Sequence, residues 1–131
     1  DFSVKPEYLS EFLPKLYKLL EENNITPTLA GHVGDGNFHV IPLMDLKNKK
    51  ERESIQIVLK KFVDLVCKYK GTITAEHNDG LIRTPYLEKE FGSKMVNLFE
   101  QTKDIFDEKN IFNPGKKVRG DIKFAMSHIK R

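Results

Sequence analysis

The chain has 131 residues, of which 39% are hydrophobic and 31% charged, a composition typical of one soluble globular domain with a modest core. Its net charge of +3 comes from 22 basic and 19 acidic residues mixed along most of the chain, which gives no case for nucleic-acid binding. The single cysteine excludes internal disulfides and thiolate-ligated iron–sulfur or zinc sites. No run of about 20 apolar residues and no signal peptide is visible, so we expect a cytoplasmic protein, and membrane association is not indicated.

The C-terminal stretch 110–131 is the exception to this mixing, because it carries six basic residues and one acid, Asp121. It is either a solvated tail or a contact surface for an anionic ligand or partner, and the sequence leaves both readings open. The basic residues are Lys116, Lys117, Arg119, Lys123, Lys130 and Arg131.

The first elements in chain order are a strand, a helix and a hairpin. Residues 1–4 are expected to form a short edge strand, and apolar residues recur at helical spacing over 9–20. Residues 27–43 alternate as a β-hairpin that turns at Asp35-Gly36, a dipeptide preferred by the two-residue type I′ turn.

Two further helices with a strand between them follow. The pattern predicts a helix over 50–69, a short strand over 71–76 ("GTITAE") and a helix over 87–108. The element order β-α-β-β-α-β predicts an α+β fold, a ferredoxin-like βαββαβ antiparallel sheet with helices on one face, plus a C-terminal helix and tail. The other face of that sheet would need a partner.

The stretch "GHVGDGNFHV" places two histidines on either side of the predicted turn. If Asp35-Gly36 is the loop, His32 lies directly opposite His39, with Cβ atoms about 4.5–5.5 Å apart. Two imidazoles so placed can share one metal ion. Alternation puts both on the uncovered face, and it turns the apolar residues of the hairpin towards the helices: Leu29, Val33, Phe38 and Val40.

Glu76 shares the histidine face by the same alternation, if its strand belongs to the same sheet. Two histidines and a carboxylate leave coordination positions open, which suits a catalytic divalent metal better than a closed structural site. A polar cross-strand pair without metal remains the alternative. A phosphate cradle at "GDGN" is disfavoured because no helix begins there.

His77 follows Glu76 directly and is a candidate general base, because the pKa of histidine lies near working pH. Its other reading is a polar residue at a strand end. In the turn that follows, Asn78 or Gly80 is expected to take a positive φ. Arg83 would clamp a substrate carboxylate or pair with Glu88, and neither is favoured.

Three ordered motifs, "GHVGDGNFHV", "GTITAEHNDG" and "DEKNIFNPGK", resemble the C-terminal domain of FAD-linked oxidases. These are flavoproteins of the vanillyl-alcohol oxidase type, a group that includes D-lactate dehydrogenases, the glycolate oxidase D subunit and D-2-hydroxyglutarate dehydrogenase. The resemblance covers nearly the whole chain. Since the chain also begins at Asp1 without a methionine, we expect residues 1–131 to be a single domain of a longer flavoprotein.

The resemblance implies an N-terminal FAD-binding domain outside this chain, with the uncovered sheet face over the flavin. It implies that His32, His39 and Glu76 hold a divalent ion such as Zn, Mn or Fe, and that His77 takes the proton of the substrate hydroxyl. A hydride would pass from C2 of a small 2-hydroxy acid, resembling D-lactate or glycolate, to FAD. The isolated chain is then expected to be inactive.

The resemblance also places Asn113 and Lys116 of "NPGK" near the flavin, as cofactor-binding residues. The chain departs from the family where Asn78 replaces the last glycine of Gly-Glu-His-Gly, which indicates a distinct subfamily. Ile41 stands two places beyond the second histidine, where hydroxyglutarate enzymes tend to carry asparagine, and it disfavours that substrate. The rival hypothesis is a stand-alone ferredoxin-like binding or regulatory module without catalysis.

Overall fold

The computed structural model describes residues 1–129 and divides the chain into two compact units, residues 1–77 with Ile129 and residues 78–128. Lys130 and Arg131 of the basic stretch lie outside the described residues. Within residues 1–129, no helix has the length and apolar character needed to cross a membrane.

The first unit contains a three-stranded antiparallel sheet, in the order β1-β3-β2. The strands are β1 (Phe2–Ser3), β2 (Thr26–His32) and β3 (Asn37–Leu43). The register of β1 on β3 pairs Phe2 with Phe38, so two aromatic side chains point from neighbouring strands to the same face.

Two helices of this unit, α1 (Leu9–Glu21) and α2 (Lys49–Lys68), contribute buried residues to its core. The ring of Phe2 lies 5.1 Å from Phe12 of α1 and 5.3 Å from Phe62 of α2, measured between centroids. Burial of such aromatic and aliphatic surface is the main stabilising contribution to this unit. The mixed α and β composition is therefore confirmed.

The hairpin differs from the predicted two-residue turn. His32 pairs with Asn37 and Ala30 with His39, which leaves a four-residue loop between β2 and β3. A type I′ turn needs a positive φ at both central residues, and in this loop only Gly36 has one, at 65°. The predicted direct opposition of His32 and His39 is therefore wrong by two residues. Because side chains alternate with a period of two, both histidines stay on one face.

As a result, Val33 does not belong to the apolar face that the sequence predicted. Val33 lies in the loop and is exposed, whereas Phe38 is buried as predicted. On the opposite face of β2, His32 and Ala30 are exposed within this unit.

The predicted strand over 71–76 is reduced to a single bridge. Ser3 and Thr72 exchange two backbone hydrogen bonds of 2.9 and 2.8 Å, and the segment that follows is irregular. The backbone N–H groups of Glu76 and His77 donate to the carboxylate of Asp1, so they are not available to a strand ladder. The sheet has three strands, and the ferredoxin-like order stays a prediction.

The second unit is helical, with α3 (Gly80–Arg83), α4 (Leu87–Phe91), α5 (Ser93–Phe106) and α6 (Ile122–Ser127). The predicted single helix over 87–108 is wrong, because Gly92 interrupts it with φ 78° and ψ 157°. That conformation is open to glycine and strained for other residues.

The basic stretch within this unit is partly neutralised by acids of the same unit. Lys117 Nζ lies 2.7 Å from Oδ2 of the buried Asp79, and Arg119 Nη2 lies 2.6 Å from Asp104 Oδ2. Lys117 and Arg119 therefore already pair with acids of the protein. This pairing makes an anion-binding role for these two cations less favourable.

Candidate metal centre

Three predicted ligand residues come together in the first unit. His32 is the last residue of β2, His39 lies in β3, and Glu76 follows the Thr72 bridge. One ligand atom from each of them lies within 4.8 Å of the others. The alternation argument that placed Glu76 beside the histidines thus led to the observed cluster, although the strand that it assumed is a single bridge.

Glu76 stands between the two imidazoles. Its Oε1 lies 2.8 Å from His39 Nε2 and its Oε2 lies 3.6 Å from His32 Nε2. A tetrahedral ion with bonds of about 2.1 Å holds its ligand atoms about 3.4 Å apart, so the observed separations bracket that value. The two separations between carboxylate and imidazole are therefore compatible with one shared ion.

The orientation of the two rings is also compatible with a shared ion. The planes of His32 and His39 are 90° apart, with centroids 6.2 Å apart. The lone pair of an imidazole nitrogen lies in the ring plane, and two perpendicular planes intersect along a line. An ion on that line lies in the plane of both rings. Two nitrogens and one carboxylate match the preferences of zinc, iron and manganese, and they leave open positions.

A second set of ligand atoms, from Asp1, His39 and His77, also meets the distance condition. The rings of His39 and His77 are stacked, with planes 4° apart and centroids 4.4 Å apart. Two parallel planes share no point, so one ion cannot lie in the plane of both rings. The geometry therefore favours the set formed by His32, His39 and Glu76.

His77 lies beside this set without belonging to it. Its Nε2 is 3.3 Å from Glu76 Oε1, and its side chain is 56% exposed, compared with 20% for His39. Asn78, which follows it, has φ 57°, as does Gly80. The prediction of a positive φ in this turn is confirmed at both residues, so asparagine adopts the backbone conformation that glycine favours.

Asp1 is a site residue that the sequence reasoning missed. Its side chain is 1% exposed, and its Oδ1 lies 3.4 Å from His39 Nδ1. Oδ1 also accepts a 2.8 Å hydrogen bond from Asn37 Nδ2, and Oδ2 accepts from the backbone of the Glu76–His77 pair. The signal was available, because the alternation that buries Phe2 puts Asp1 on the histidine face.

Arg83, the predicted substrate ligand, ends α3 in the second unit. Its Nε donates a long 3.4 Å hydrogen bond to the backbone oxygen of Asp79. Burial lowers the pKa of the Arg83 guanidinium below its ordinary value, and the charge of Asp79 opposes that shift.

The two predicted flavin-side residues are adjacent to each other in the second unit. Lys116 Nζ donates a 3.2 Å hydrogen bond to Asn113 Oδ1, and both residues are exposed. Asn113 has φ 46°, and the backbone N–H of Lys116 bonds its carbonyl oxygen, so the pair is held by a tight turn. Lys117, the next residue after Lys116, forms an ion pair with the buried Asp79. The sequence analysis did not predict this pair.

Comparison with known proteins identifies relatives that match most of the chain. It is 29% identical to the glycolate oxidase subunit GlcD of Bacillus subtilis, over 94% of this chain and 26% of the relative. It is 33% identical to D-2-hydroxyglutarate dehydrogenase of Haemophilus influenzae, over 88% of this chain and 11% of the relative. It is 30% identical to the mitochondrial D-lactate dehydrogenase (cytochrome) of Arabidopsis thaliana, over 95% of this chain and 22% of the relative.

The chain therefore spans about a quarter or less of the length of these relatives. The profile of one family, described as FAD linked oxidases, C-terminal domain, matches residues 1–117. This match includes the whole histidine and glutamate cluster. The chain belongs to the family of C-terminal domains of FAD linked oxidases.

Proposed function

We propose that this chain is the substrate- and metal-binding domain of a longer FAD-dependent dehydrogenase or oxidase of 2-hydroxy acids such as D-lactate or glycolate. The cluster of His32, His39 and Glu76 beside His77 is the observation that carries the proposal. The relatives named for glycolate, D-lactate and D-2-hydroxyglutarate support the substrate class. Residues 1–131 would act as one domain beside an N-terminal FAD-binding domain.

His32, His39 and Glu76 would hold one divalent ion such as Zn, Mn or Fe. When bound, the ion supplies Lewis-acid polarisation to the hydroxyl and carboxylate oxygens of the substrate. The bound FAD supplies the hydride acceptor. The contribution of the chain itself is to hold three ligand atoms within reach of one another and to leave the exposed side of the cluster open to a small acid.

His77 would accept the proton of the substrate hydroxyl. Its ring is held parallel to His39 by stacking, and its Nε2 lies next to Glu76 Oε1. A base must come within hydrogen-bond reach of the proton that it removes, and the exposed His77 ring beside the ligand cluster can do so. Since His39 and His77 are stacked rather than convergent, one imidazole can bind metal while the other stays available for the proton.

The remaining proposed roles belong to three residues of the second unit. Arg83 would bind the substrate carboxylate through its fork of N–H donors. Asn113 and Lys116 would contact the flavin, since both are exposed polar groups on the turn of the "NPGK" motif. These roles follow the family resemblance of the motif positions.

The bridge between Ser3 and Thr72 supports a ferredoxin-like arrangement for the first unit. With residues 71–76 taken as a rudimentary fourth strand beside β1, the sheet order becomes that of a split βαβ unit. The exposed sheet face would then be the one that faces the flavin.

Metal content of the purified full-length protein tests the ligand assignment, measured by elemental analysis after dialysis. We expect about one divalent ion per chain, and His32→Ala and His39→Ala each lower it at least tenfold. His128→Ala is the matched control, because His128 is the remaining histidine of the chain and bonds the Phe124 carbonyl in α6. Metal content that survives both ligand substitutions would refute the assignment.

Flavin retention and turnover test the place of the domain in a longer enzyme. The full-length protein is expected to hold FAD and to oxidise D-lactate or glycolate, whereas residues 1–131 alone retain no flavin and turn over neither acid. Tight FAD binding by the 131-residue chain would contradict the proposal and favour a self-contained module. The ratio of kcat/KM for D-lactate, glycolate and D-2-hydroxyglutarate identifies the preferred acid.

A further inference from the structure

Asp1 occupies a position opposite His39. The register of β1 on β3 pairs Ser3 with Asn37 and Phe2 with Phe38, and its continuation brings Asp1 level with His39. Phe2 belongs to the core, so by alternation Asp1 points to the other face, which carries the ligand cluster. The carboxylate is nonetheless buried, at 1% exposure.

The Asp1 carboxylate contacts both the segment that carries Glu76 and the ring of His39. Oδ2 accepts 3.0 Å hydrogen bonds from the backbone N–H of both Glu76 and His77. Oδ1 accepts from Asn37 Nδ2 and lies 3.4 Å from His39 Nδ1. One side chain therefore touches the segment that carries the metal-binding carboxylate and the ring that carries a metal-binding nitrogen.

His39 presents its two nitrogens to different carboxylates. Nε2 lies 2.8 Å from Glu76, on the side where an ion would bind. Nδ1 is buried and makes no hydrogen bond within residues 1–129. A buried ring nitrogen without a hydrogen-bond partner is costly, and Asp1 Oδ1, 3.4 Å from Nδ1, is an acceptor within reach of a small movement of the ring.

Resting on the proposed function, we propose that Asp1 is a positioning residue of the metal centre. It accepts the Nδ1 proton of His39, which leaves the Nε2 lone pair for the ion, and it anchors the backbone of Glu76 and His77. A metal-ligating histidine generally donates its other ring N–H to such an acceptor, which fixes both the tautomer and the ring orientation. Asp1 does not bind the ion itself.

An amide at this position cannot do the same. Asp1→Asn has one oxygen, and the two backbone N–H groups of Glu76 and His77 hold it on their side. Its NH2 group then faces His39 Nδ1 as a donor, so the ring must carry its proton on Nε2 instead. That proton occupies the position of the metal bond. The substitution keeps the shape of the side chain and reverses the tautomer.

The test uses the full-length protein and two readouts. The first is the affinity for Zn²⁺, measured by chelator competition, and the second is the 15N and 1H chemical shifts of the His39 ring in 15N-histidine-labelled protein loaded with Zn²⁺, because without an ion Nε2 faces the Glu76 carboxylate. We expect a hydrogen-bonded proton on Nδ1 in the wild type and the loss of that hydrogen bond in Asp1→Asn. The Zn²⁺ affinity of the variant is expected to fall about 10- to 100-fold.

Asp107→Asn is the matched control, because Asp107 is also a buried carboxylate that accepts two consecutive backbone N–H groups, of Ile111 and Phe112. It leaves Zn²⁺ affinity and the His39 shifts unchanged. Asp1→Glu, which restores a carboxylate, returns the hydrogen-bonded proton on Nδ1 and gives a second variant if Asp1→Asn does not fold.

Each remaining outcome overturns the proposal. A Zn²⁺-loaded wild type, or Asp1→Glu variant, in which His39 Nδ1 carries no hydrogen-bonded proton removes the contact on which the proposal rests. Equal Zn²⁺ affinity in wild type and Asp1→Asn rejects the role of Asp1 and leaves the metal centre intact. Equal losses of Zn²⁺ affinity in Asp1→Asn and Asp107→Asn would show that Asp1 contributes only to the stability of the fold. A wild-type protein that takes up no Zn²⁺ rejects the proposed metal centre, and the role of Asp1 falls with it.

Discussion

His39 and His77 stack face to face, with ring planes 4° apart and centroids 4.4 Å apart, although 38 positions separate them in the chain. His32 stands perpendicular to His39 instead. The first relationship prevents a shared ion and the second permits one. The local geometry thus divides three histidines into two candidate ligands and one candidate base.

This division predicts separate effects of substitutions at the stacked pair. His77→Gln is expected to lower kcat about 10²- to 10⁴-fold, because it removes the proposed general base, and to keep Zn²⁺ affinity within about threefold of wild type. His39→Ala loses both metal and turnover. Steady-state kinetics and chelator competition on the same preparations measure the two effects. A loss of metal in His77→Gln would place His77 among the ligands.

The hairpin loop contains a glycine that the fold requires and one that it does not. Gly36 has φ 65°, and a Cβ there would lie 1.8 Å from the backbone oxygen of Val4. Gly36→Ala is therefore expected to lower the free energy of unfolding by more than about 2 kcal/mol, from the left-handed backbone and the clash together.

Gly34 in the same loop is the matched control, because a Cβ there meets no atom within 4 Å among the described residues. Gly34→Ala is expected to change the free energy of unfolding by less than about 0.5 kcal/mol. Urea denaturation followed by circular dichroism compares the two. Similar losses in both variants would show that the observed loop conformation is wrong.

The pair formed by Lys117 and the buried Asp79 predicts a stability effect in the second unit. Lys117→Met removes the cation that contacts the Asp79 carboxylate and is expected to cost about 2 kcal/mol, below the range of fully buried pairs because Lys117 is half exposed. Lys116→Met, at an exposed neighbour, changes the free energy of unfolding by less than about 0.5 kcal/mol. Chemical denaturation measures both, and an equal cost in the two variants would contradict the pairing.

The Asp107 carboxylate is expected to stabilise the folded protein less in acid than at neutral pH. The hydrogen bond from Lys103 is the main cause that lowers the pKa of the Asp107 carboxyl below its ordinary value, and the N–H groups of Ile111 and Phe112 add to it. The folded-state pKa is thus below the unfolded value of about 3.9, so the stabilisation is complete above that pH. It is lost as the pH falls from about 4 through the folded-state pKa.

The variant Asp107→Asn tests whether the charge of Asp107 is the source of this pH-dependent stability. At pH 7 its melting temperature is expected to lie below that of the wild type, and the difference shrinks as the pH is lowered below about 4. Thermal denaturation between pH 3 and pH 7 measures it. A difference that stays constant over this range would exclude the charge of Asp107 as its source.

Alternation alone brought the sequence reasoning close to the candidate site. The predicted register of the hairpin was wrong by two residues, yet His32 and His39 still share a face because a shift of two returns each side chain to its own side. A shift of one would have separated them. The positive φ of Asn78 was likewise predictable, because asparagine tolerates that conformation and a turn was required there.

The sequence by itself determined the family, the mixed α and β composition, and the residues His32, His39 and Glu76, because motif order and side-chain alternation are local properties of the chain. Only the tertiary structure decided how these groups meet. The stacking of His77 on His39 and the burial of Asp1 against both arise from pairing between segments more than 35 positions apart. Such distances and ring orientations depend on which distant backbone groups form hydrogen bonds with one another, and side-chain alternation within one segment does not determine those hydrogen bonds.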